Sequence, residues 1–125
     1  MNHLIKPLNA KNIELTETKS KKKDEKIVWK FTDITLTFPG SAITYDAHCL
    51  ILAISSPVFE GILYGLMRPE GPNILLHDDD PLVMKDLIAH CYGEDIEPSD
   101  MVTALELYKL ADKYLIDELQ NVHVP

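Results

Sequence analysis

The sequence has few of the features that mark secreted and membrane proteins. It holds two cysteines in 125 residues, too few for the disulfide framework of a small secreted domain. No apolar run approaches the roughly 20 residues that a membrane-spanning helix needs, and the first residues, Met-Asn-His-Leu-Ile-Lys, contain no apolar signal core. We therefore expect an intracellular protein, in the cytoplasm or the nucleus, with reduced thiols and no membrane partner.

Positive charge is scarce beyond the first thirty residues. Residues 1–30 hold eight lysines and four acidic residues, a net charge of +4, whereas residues 31–125 hold four basic and sixteen acidic residues, a net charge of −12. A folded region this acidic repels the phosphate backbone of nucleic acids. We expect protein partners and no nucleic-acid partner.

Composition divides the chain into a tail and one domain. Residues 1–26 are polar and lysine-rich, and we expect a disordered tail because such a segment buries too little apolar surface to offset its ordering entropy. The lysine cluster at 19–23 also fits a nuclear-import signal, but two acidic residues follow it and we favour a solvated tail. Residues 27–120 are predicted to form the domain and residues 121–125 a short carboxyl-terminal tail.

Hydrophobic periodicity predicts an α+β fold with a small three-stranded sheet on a mainly helical body. Ile34, Leu36 and Phe38 alternate with threonines, and Pro39-Gly40 follows as a turn signal, so a hairpin is predicted here. Elements are predicted in the order strand (34–38), strand (42–45), helix (47–54), helix (57 to near 65), strand (73–76), helix (81 to near 93), helix (101–114) and helical stub (116–120).

Two of the predicted helices carry apolar faces that we expect to be buried. On the first, one face is made by Ala47, Leu50, Ile51 and Ile54. The last long helix has two apolar stripes, one with Met101, Ala104, Leu105, Tyr108 and Ala111, the other with Leu107, Leu110 and Tyr114. An apolar surface this wide predicts burial of that helix on more than one side.

Two His-Cys pairs, His48-Cys49 and His90-Cys91, contain good zinc ligands. Neighbouring helical residues point about 100° apart, and the spacing fits no common zinc motif, so we expect Cys91 to pack as a small apolar residue. A Cys-His nucleophile pair would need a third group to orient the base, and no phosphate loop or nucleophile elbow is present. We expect no catalytic residue, no metal site and no cofactor, and therefore no enzyme.

Two further segments have alternative interpretations. The run His77-Asp78-Asp79-Asp80 offers carboxylates to a divalent cation, but Asp80 followed by Pro81 is typical of a helix cap, and we favour capping. Trp29 and Phe31 precede the first strand, where they form either an exposed docking patch or a lid on the edge of the core.

Several short motifs, in order and spacing, resemble the BTB/POZ family across residues 31–120. They are Phe31-Thr32-Asp33-Ile34-Thr35-Leu36, Ala47-His48, Leu52-Ala53-Ile54-Ser55-Ser56-Pro57-Val58-Phe59, Tyr92-Gly93 and Leu110-Ala111-Asp112-Lys113-Tyr114. The resemblance implies the BTB/POZ fold and a protein–protein interaction module. Members of the family form homodimers through an amino-terminal segment and the first helices, and many bind the amino-terminal domain of cullin 3 as ubiquitin-ligase adaptors.

The resemblance places the cullin-type surface after the second helix. It implies partner-binding residues Leu63, Tyr64, Leu66, Met67, Arg68, Pro69 and Glu70. Cullin-binding members often carry a hydrophobic-x-Glu motif here, and this chain has Met67-Arg68-Pro69 with Glu70 one place later.

The resemblance also implies a dimer or core signature at Asp33 and His48. Dimeric members often follow this histidine with a basic residue that neutralises the aspartate, but here Cys49 follows, so Asp33 is predicted to lack that partner. Two functions remain open. One is a cullin 3 adaptor, and the other is a BTB scaffold that self-associates or pairs with other BTB domains and has no ligase role.

Overall fold

Three short strands form one sheet in the computed structural model, which describes residues 29–120. Strand β1 (Ile34–Thr37) pairs antiparallel with β2 (Thr44–Ala47) and parallel with β3 (Asn73–Leu75), so the strand order is β2-β1-β3. Along β1, buried Ile34 and Leu36 alternate with partly exposed threonines, as the period-two pattern predicted. The predicted tails at 1–26 and 121–125 lie outside the described residues, and so do residues 27–28 at the start of the predicted domain.

The hairpin connection is longer than the sequence predicted. The N–H of Ser41 donates to the carbonyl of Phe38 at 2.9 Å, and the hydroxyl of Ser41 accepts from the N–H of Ile43 at 3.1 Å. Because these bonds hold residues 38–43 in a turn, β2 starts at residue 44 and not at 42. Ala47, predicted to open a helix, pairs with Ile34 at the end of the strand.

Besides the three strands, the described chain contains five helices. They are α1 (Cys49–Ser55), α2 (Pro57–Tyr64), α3 (Pro81–Cys91), α4 (Met101–Lys113) and α5 (Asp117–Gln120). None of these helices is long and apolar enough to cross a membrane. The sheet and helices together confirm the predicted α+β class.

The helix starts are set by side-chain caps. Ser56 accepts from the N–H of Phe59 at 3.1 Å, and Asp80 accepts from the N–H of Leu82 at 2.8 Å, each followed by proline at the first helical position. Asp100 caps α4 by accepting from the N–H of Thr103, and this bond lowers the pKa of the Asp100 carboxyl. The predicted cap at Asp80 is confirmed.

Helix α2 is fixed to the end of α4 by a buried polar and aromatic contact. The fully buried hydroxyl of Ser56 donates to the carbonyl of Tyr114 at 2.6 Å, and the rings of Phe59 and Tyr114 stack with centroids 4.5 Å apart. The Tyr114 hydroxyl donates to Asp79 at 2.5 Å, and Lys113 pairs with the same carboxylate at 2.6 Å. Two helices and the loop before α3 thus meet at one tyrosine.

Helix α4 is buried on one side only. Its second predicted stripe, Leu107, Leu110 and Tyr114, lies in the core, together with Ala111. From the first stripe, Met101, Leu105 and Tyr108 are more than half exposed. The prediction of burial on more than one side is therefore wrong, because no other element of residues 29–120 covers this face.

Helix α1 likewise exposes part of its predicted core face. Ile51 and Leu52 are fully buried, whereas Leu50 and Ile54, one turn apart, are exposed. Apolar residues therefore lie on several sides of this short helix, and only one side packs against the core.

Substitution by alanine should change stability in opposite directions at Gly61, within α2, and at Gly65, directly after it. A Cβ at Gly65 would overlap the backbone carbonyl oxygen of Gly61, whereas a Cβ at Gly61 meets no atom within 4 Å. We expect Gly65→Ala to lower the free energy of unfolding by about 1–3 kcal/mol, and Gly61→Ala to raise it by about 0.5–1 kcal/mol through helix propensity. Urea denaturation of both variants measures this, and equal effects of the two changes would contradict the close approach of Gly65 to the Gly61 carbonyl.

Candidate interaction surface

A tight turn after α2 presents two large apolar side chains to solvent. The N–H of Arg68 donates to the carbonyl of Gly65 at 3.3 Å, which places Leu66 and Met67 at the tip of the turn. Leu66 and Met67 are 105% and 92% exposed, and Tyr64, the last residue of α2, is also exposed. The loop therefore concentrates apolar surface at one protruding point.

Both ends of this loop are anchored to regular structure. On one side Gly65 closes α2 through an N–H bond to the Gly61 carbonyl at 3.0 Å. On the other side the carbonyl of Pro72 accepts from Thr35 of β1 at 2.8 Å, and β3 follows at once. An anchored loop loses little conformational entropy on binding, which favours its use as a docking point.

The predicted cullin-type residues divide into exposed and buried positions. Tyr64, Leu66, Met67, Arg68 and Glu70 are exposed, and Pro69 is partly exposed. Leu63 is fully buried in the core, so it cannot act as a surface anchor, and this expectation is corrected. Its position on the inner side of α2 instead holds the helix against the domain, with neighbouring Tyr64 turned outward.

Asp33 and His48 lie where the chain enters α1. The carboxylate of Asp33 is exposed and accepts from the N–H of Cys49 at 2.8 Å, which satisfies a free N–H at the start of α1. The absence of a basic neighbour therefore leaves no buried carboxylate without a partner. A backbone N–H takes the place that the family resemblance gave to a lysine or arginine side chain.

The His48 ring is buried and uses both of its nitrogens. Nε2 lies 2.5 Å from the Lys30 carbonyl, which can only accept, so Nε2 carries the proton. Nδ1 lies 2.5 Å from the Tyr92 hydroxyl and, in the neutral ring, accepts from it, and the same oxygen accepts from the His48 N–H at 2.9 Å. Every polar atom of this network has a partner, which fits a structural histidine.

Trp29 and Phe31 have different environments. The Trp29 ring packs on Tyr92 with centroids 4.6 Å apart and is partly buried, so it closes the edge of the core. Phe31 is 79% exposed and has a φ of 63°, an unfavourable left-handed conformation for a residue with a side chain. The flanking bonds from Lys30 to His48 and from Asp33 to Ala47 hold the backbone there.

The thiols are unsuited to nucleophilic chemistry. Cys49 and Cys91 are both buried, and burial raises the pKa of Cys49 to about 11 and that of Cys91 to about 12. A thiol with such a pKa is almost wholly protonated at neutral pH, whereas attack requires the thiolate. Among residues 29–120, no group of three or more histidine, cysteine, aspartate or glutamate side chains is arranged to hold a metal.

The acidic run before α3 serves the fold. Asp80 caps α3, and Asp79 is buried between Lys113 and Tyr114. Two of its three carboxylates are therefore occupied by protein partners, as the capping interpretation predicted for Asp80.

Sequence reasoning did not identify the exposed row on α4 as a surface. Met101, Leu105 and Tyr108 are spaced one turn apart, the same pattern that a core-facing helix would show. The sequence gives two apolar stripes on this helix, and its periodicity does not show which of them faces the core.

Comparison with known proteins gives one consistent family. The family model for the BTB/POZ domain matches residues 21–123. BTB/POZ domain-containing protein 6-A of Danio rerio is 30% identical over 86 residues, and BTB/POZ domain-containing protein 6 of Homo sapiens is 29% identical over 86 residues. Each alignment covers 69% of this chain, which spans about 16% of the length of either relative.

Solved structures show the same fold at lower identity. The BTB domains of zebrafish PATZ1 and of human gigaxonin each superpose with a TM-score of 0.61 at 23% identity. Each match covers 72% of this chain, with 70% of the PATZ1 chain and 72% of the gigaxonin chain. At this identity the likeness concerns the fold.

Removing the Tyr92 hydroxyl should destabilise the domain measurably. Tyr92→Phe leaves the His48 N–H and Nδ1 without their partner in a buried site, and we expect a loss of about 1–3 kcal/mol in the free energy of unfolding. Tyr108→Phe, which removes an exposed hydroxyl, is the control and should change stability by less than about 0.5 kcal/mol. Chemical denaturation compares them, and similar values for both variants would contradict the network.

Proposed function

Because this chain belongs to the BTB/POZ family, and is therefore a protein–protein interaction module, we propose that it is an adaptor of a cullin 3 ubiquitin ligase. The proposed contact surface is the loop between α2 and β3. We propose an intracellular location, where such a complex would form, and no catalytic role for the domain itself.

The observation that carries this proposal is the exposure of Leu66 and Met67 at an anchored turn. Interfaces draw most of their binding energy from a few large side chains that become fully desolvated. A methionine at a loop tip suits this role because its flexible, polarisable side chain adapts to the shape of a pocket. We propose Met67 as the central anchor, with Leu66 and Tyr64 beside it.

Charged residues around the tip are proposed to orient the partner. Arg68 and Glu70 are both exposed within this loop, on the carboxyl-terminal side of Met67. Exposed charges at the rim of an interface affect association rate and specificity more than affinity. A Glu70 displaced by one place from the family motif therefore weakens this proposal less than loss of the apolar anchor would.

Tyr64 connects the loop to the entrance of α1. Burial raises the pKa of the Tyr64 hydroxyl, the nearby Cys49 and Asp33 raise it further, and Arg68 opposes them. Helices α1 and α2 pack against each other, and Asp33, Cys49 and Arg68 are near enough to the Tyr64 hydroxyl to act on its pKa. A partner that covers Met67 would therefore lie near the signature residues as well.

The alternative function is self-association, or pairing with another BTB domain, through the exposed side of α1. Leu50 and Ile54 lie one turn apart on that side, and exposed Phe31 precedes the residues that bond to the start of the helix. This apolar side fits the surface that family members use for dimers. Light-scattering chromatography of the chain, alone and with the cullin 3 amino-terminal domain, distinguishes it from the adaptor function.

A change of Met67 to aspartate should weaken binding to cullin 3 strongly. We expect the whole chain and the cullin 3 amino-terminal domain to co-elute one to one in light-scattering chromatography, and Met67→Asp to weaken binding by at least about 2 kcal/mol, roughly 30-fold. Leu82→Asp is the control, because it introduces the same charge at an exposed apolar residue of α3. This variant should bind cullin 3 as the unchanged protein does.

Separate elution of the unchanged chain and the cullin would reject the adaptor function. A dimer mass for the chain alone, lost in Leu50→Asp, would then support self-association. Equal binding by Met67→Asp and Leu82→Asp would show that the cullin uses a surface other than the loop.

A further inference from the structure

A straight apolar row runs along the outer side of α4 and has no partner within the described domain. Met101, Leu105 and Tyr108 follow one another at intervals of four and three residues, so they lie on one face. Leu115, also exposed, follows the helix end. Helix α4, with thirteen residues from Met101 to Lys113, is about 20 Å long.

This row makes no contribution to the core of the domain. The opposite side of α4 already supplies Leu107, Leu110 and Tyr114 to the core, and Asp100 caps the helix. Helix formation would be served equally by polar residues at the outer positions. A contiguous set of large apolar side chains on a surface helix marks an interaction site.

The surroundings of the row are strongly acidic. Residues 94–120 contain eight acidic residues and two lysines. Lys113 is paired with the buried Asp79, and Lys109 lies 3.6 Å from Glu106. Asp112 lies on the same exposed side of α4 as the row, so a binding partner meets apolar side chains set among carboxylates.

We propose that the outer face of α4 is a second docking site that binds a basic, amphipathic helix of a partner protein. A helix with apolar residues at i, i+3 or i+4, and i+7 matches the row, because helices pack their side-chain ridges along such spacings. Lysines or arginines beside those residues would meet the carboxylates of residues 94–120.

The charge also argues against other occupants. A second copy of the chain would bring a like-charged acidic surface against this one, and like charges across an interface cost binding energy. Nucleic acid would be repelled for the same reason. This site is separate from the loop proposed for cullin 3, so the two proposals can fail independently.

The probe for the test is a synthetic fifteen-residue peptide of leucine and lysine with leucines on one helical face. We expect it to bind the whole chain, by fluorescence polarisation, with a dissociation constant that rises at least tenfold in Leu105→Ser. Leu82→Ser, which removes an exposed leucine from α3, should stay within twofold of the unchanged chain. Tyr108→Ser provides a second variant in the row, and thermal unfolding confirms that each variant is folded.

Two control peptides separate the apolar and charged contributions. A peptide of the same composition with its leucines spread around the helix should bind at least tenfold more weakly, and so should one with glutamate in place of lysine. Added salt should weaken binding of the first peptide, because partly exposed charge pairs are screened.

Three outcomes would overturn the proposal. The first is equal binding of the peptide to the unchanged chain and to Leu105→Ser. The second is a dimer of the chain that Leu105→Ser dissociates, which would assign the row to a second copy. The third is tenfold tighter binding at the row by a synthetic peptide of residues 1–26, which would assign it to the basic segment of this chain.

Discussion

The position of α2 against the end of α4 is the constraint on which both proposed surfaces depend. The buried hydroxyl of Ser56 bonds to the carbonyl of Tyr114, and the Phe59 ring stacks on the Tyr114 ring. A hydroxyl left without a partner in this site would cost about 1–3 kcal/mol. Arrangements of the two helices that break this bond are therefore disfavoured. This contact holds the start of α2 against the end of α4, so it sets the direction in which α2 runs toward the turn with Met67, and it sets which side of α4 meets the core.

The described domain places many of its apolar side chains where they do not stabilise it. Those on α1, at the turn after α2 and on the outer side of α4 are exposed, although the core is filled by other residues of the same elements. Small stable domains tolerate single exposed apolar residues, but grouped ones raise the risk of aggregation. Their grouping on three surfaces fits a protein–protein interaction module. The thiols are buried, and both ring nitrogens of His48 have hydrogen-bond partners within the fold.

Much of the fold could be predicted from the sequence because local rules fix it. Ser56-Pro57 and Asp80-Pro81 set helix starts through caps, and the alternation around Leu36 sets a strand. The direction of an apolar face could not be predicted where a helix has two, since periodicity shows that Leu105 and Leu107 lie on different sides but not which side meets the core. The start of β2 depended on one hydroxyl at Ser41, and the partner of Asp33 is a backbone N–H, which no side-chain pattern reveals.

The proposed function depends above all on docking of a partner at the turn between α2 and β3. Hydrogen–deuterium exchange of the whole chain, alone and saturated with the cullin 3 amino-terminal domain, tests this most directly because it locates the contact without any substitution. We expect slower exchange at residues 64–70 in the complex and unchanged exchange along α4. Slower exchange confined to other elements, with residues 64–70 unchanged, would contradict it.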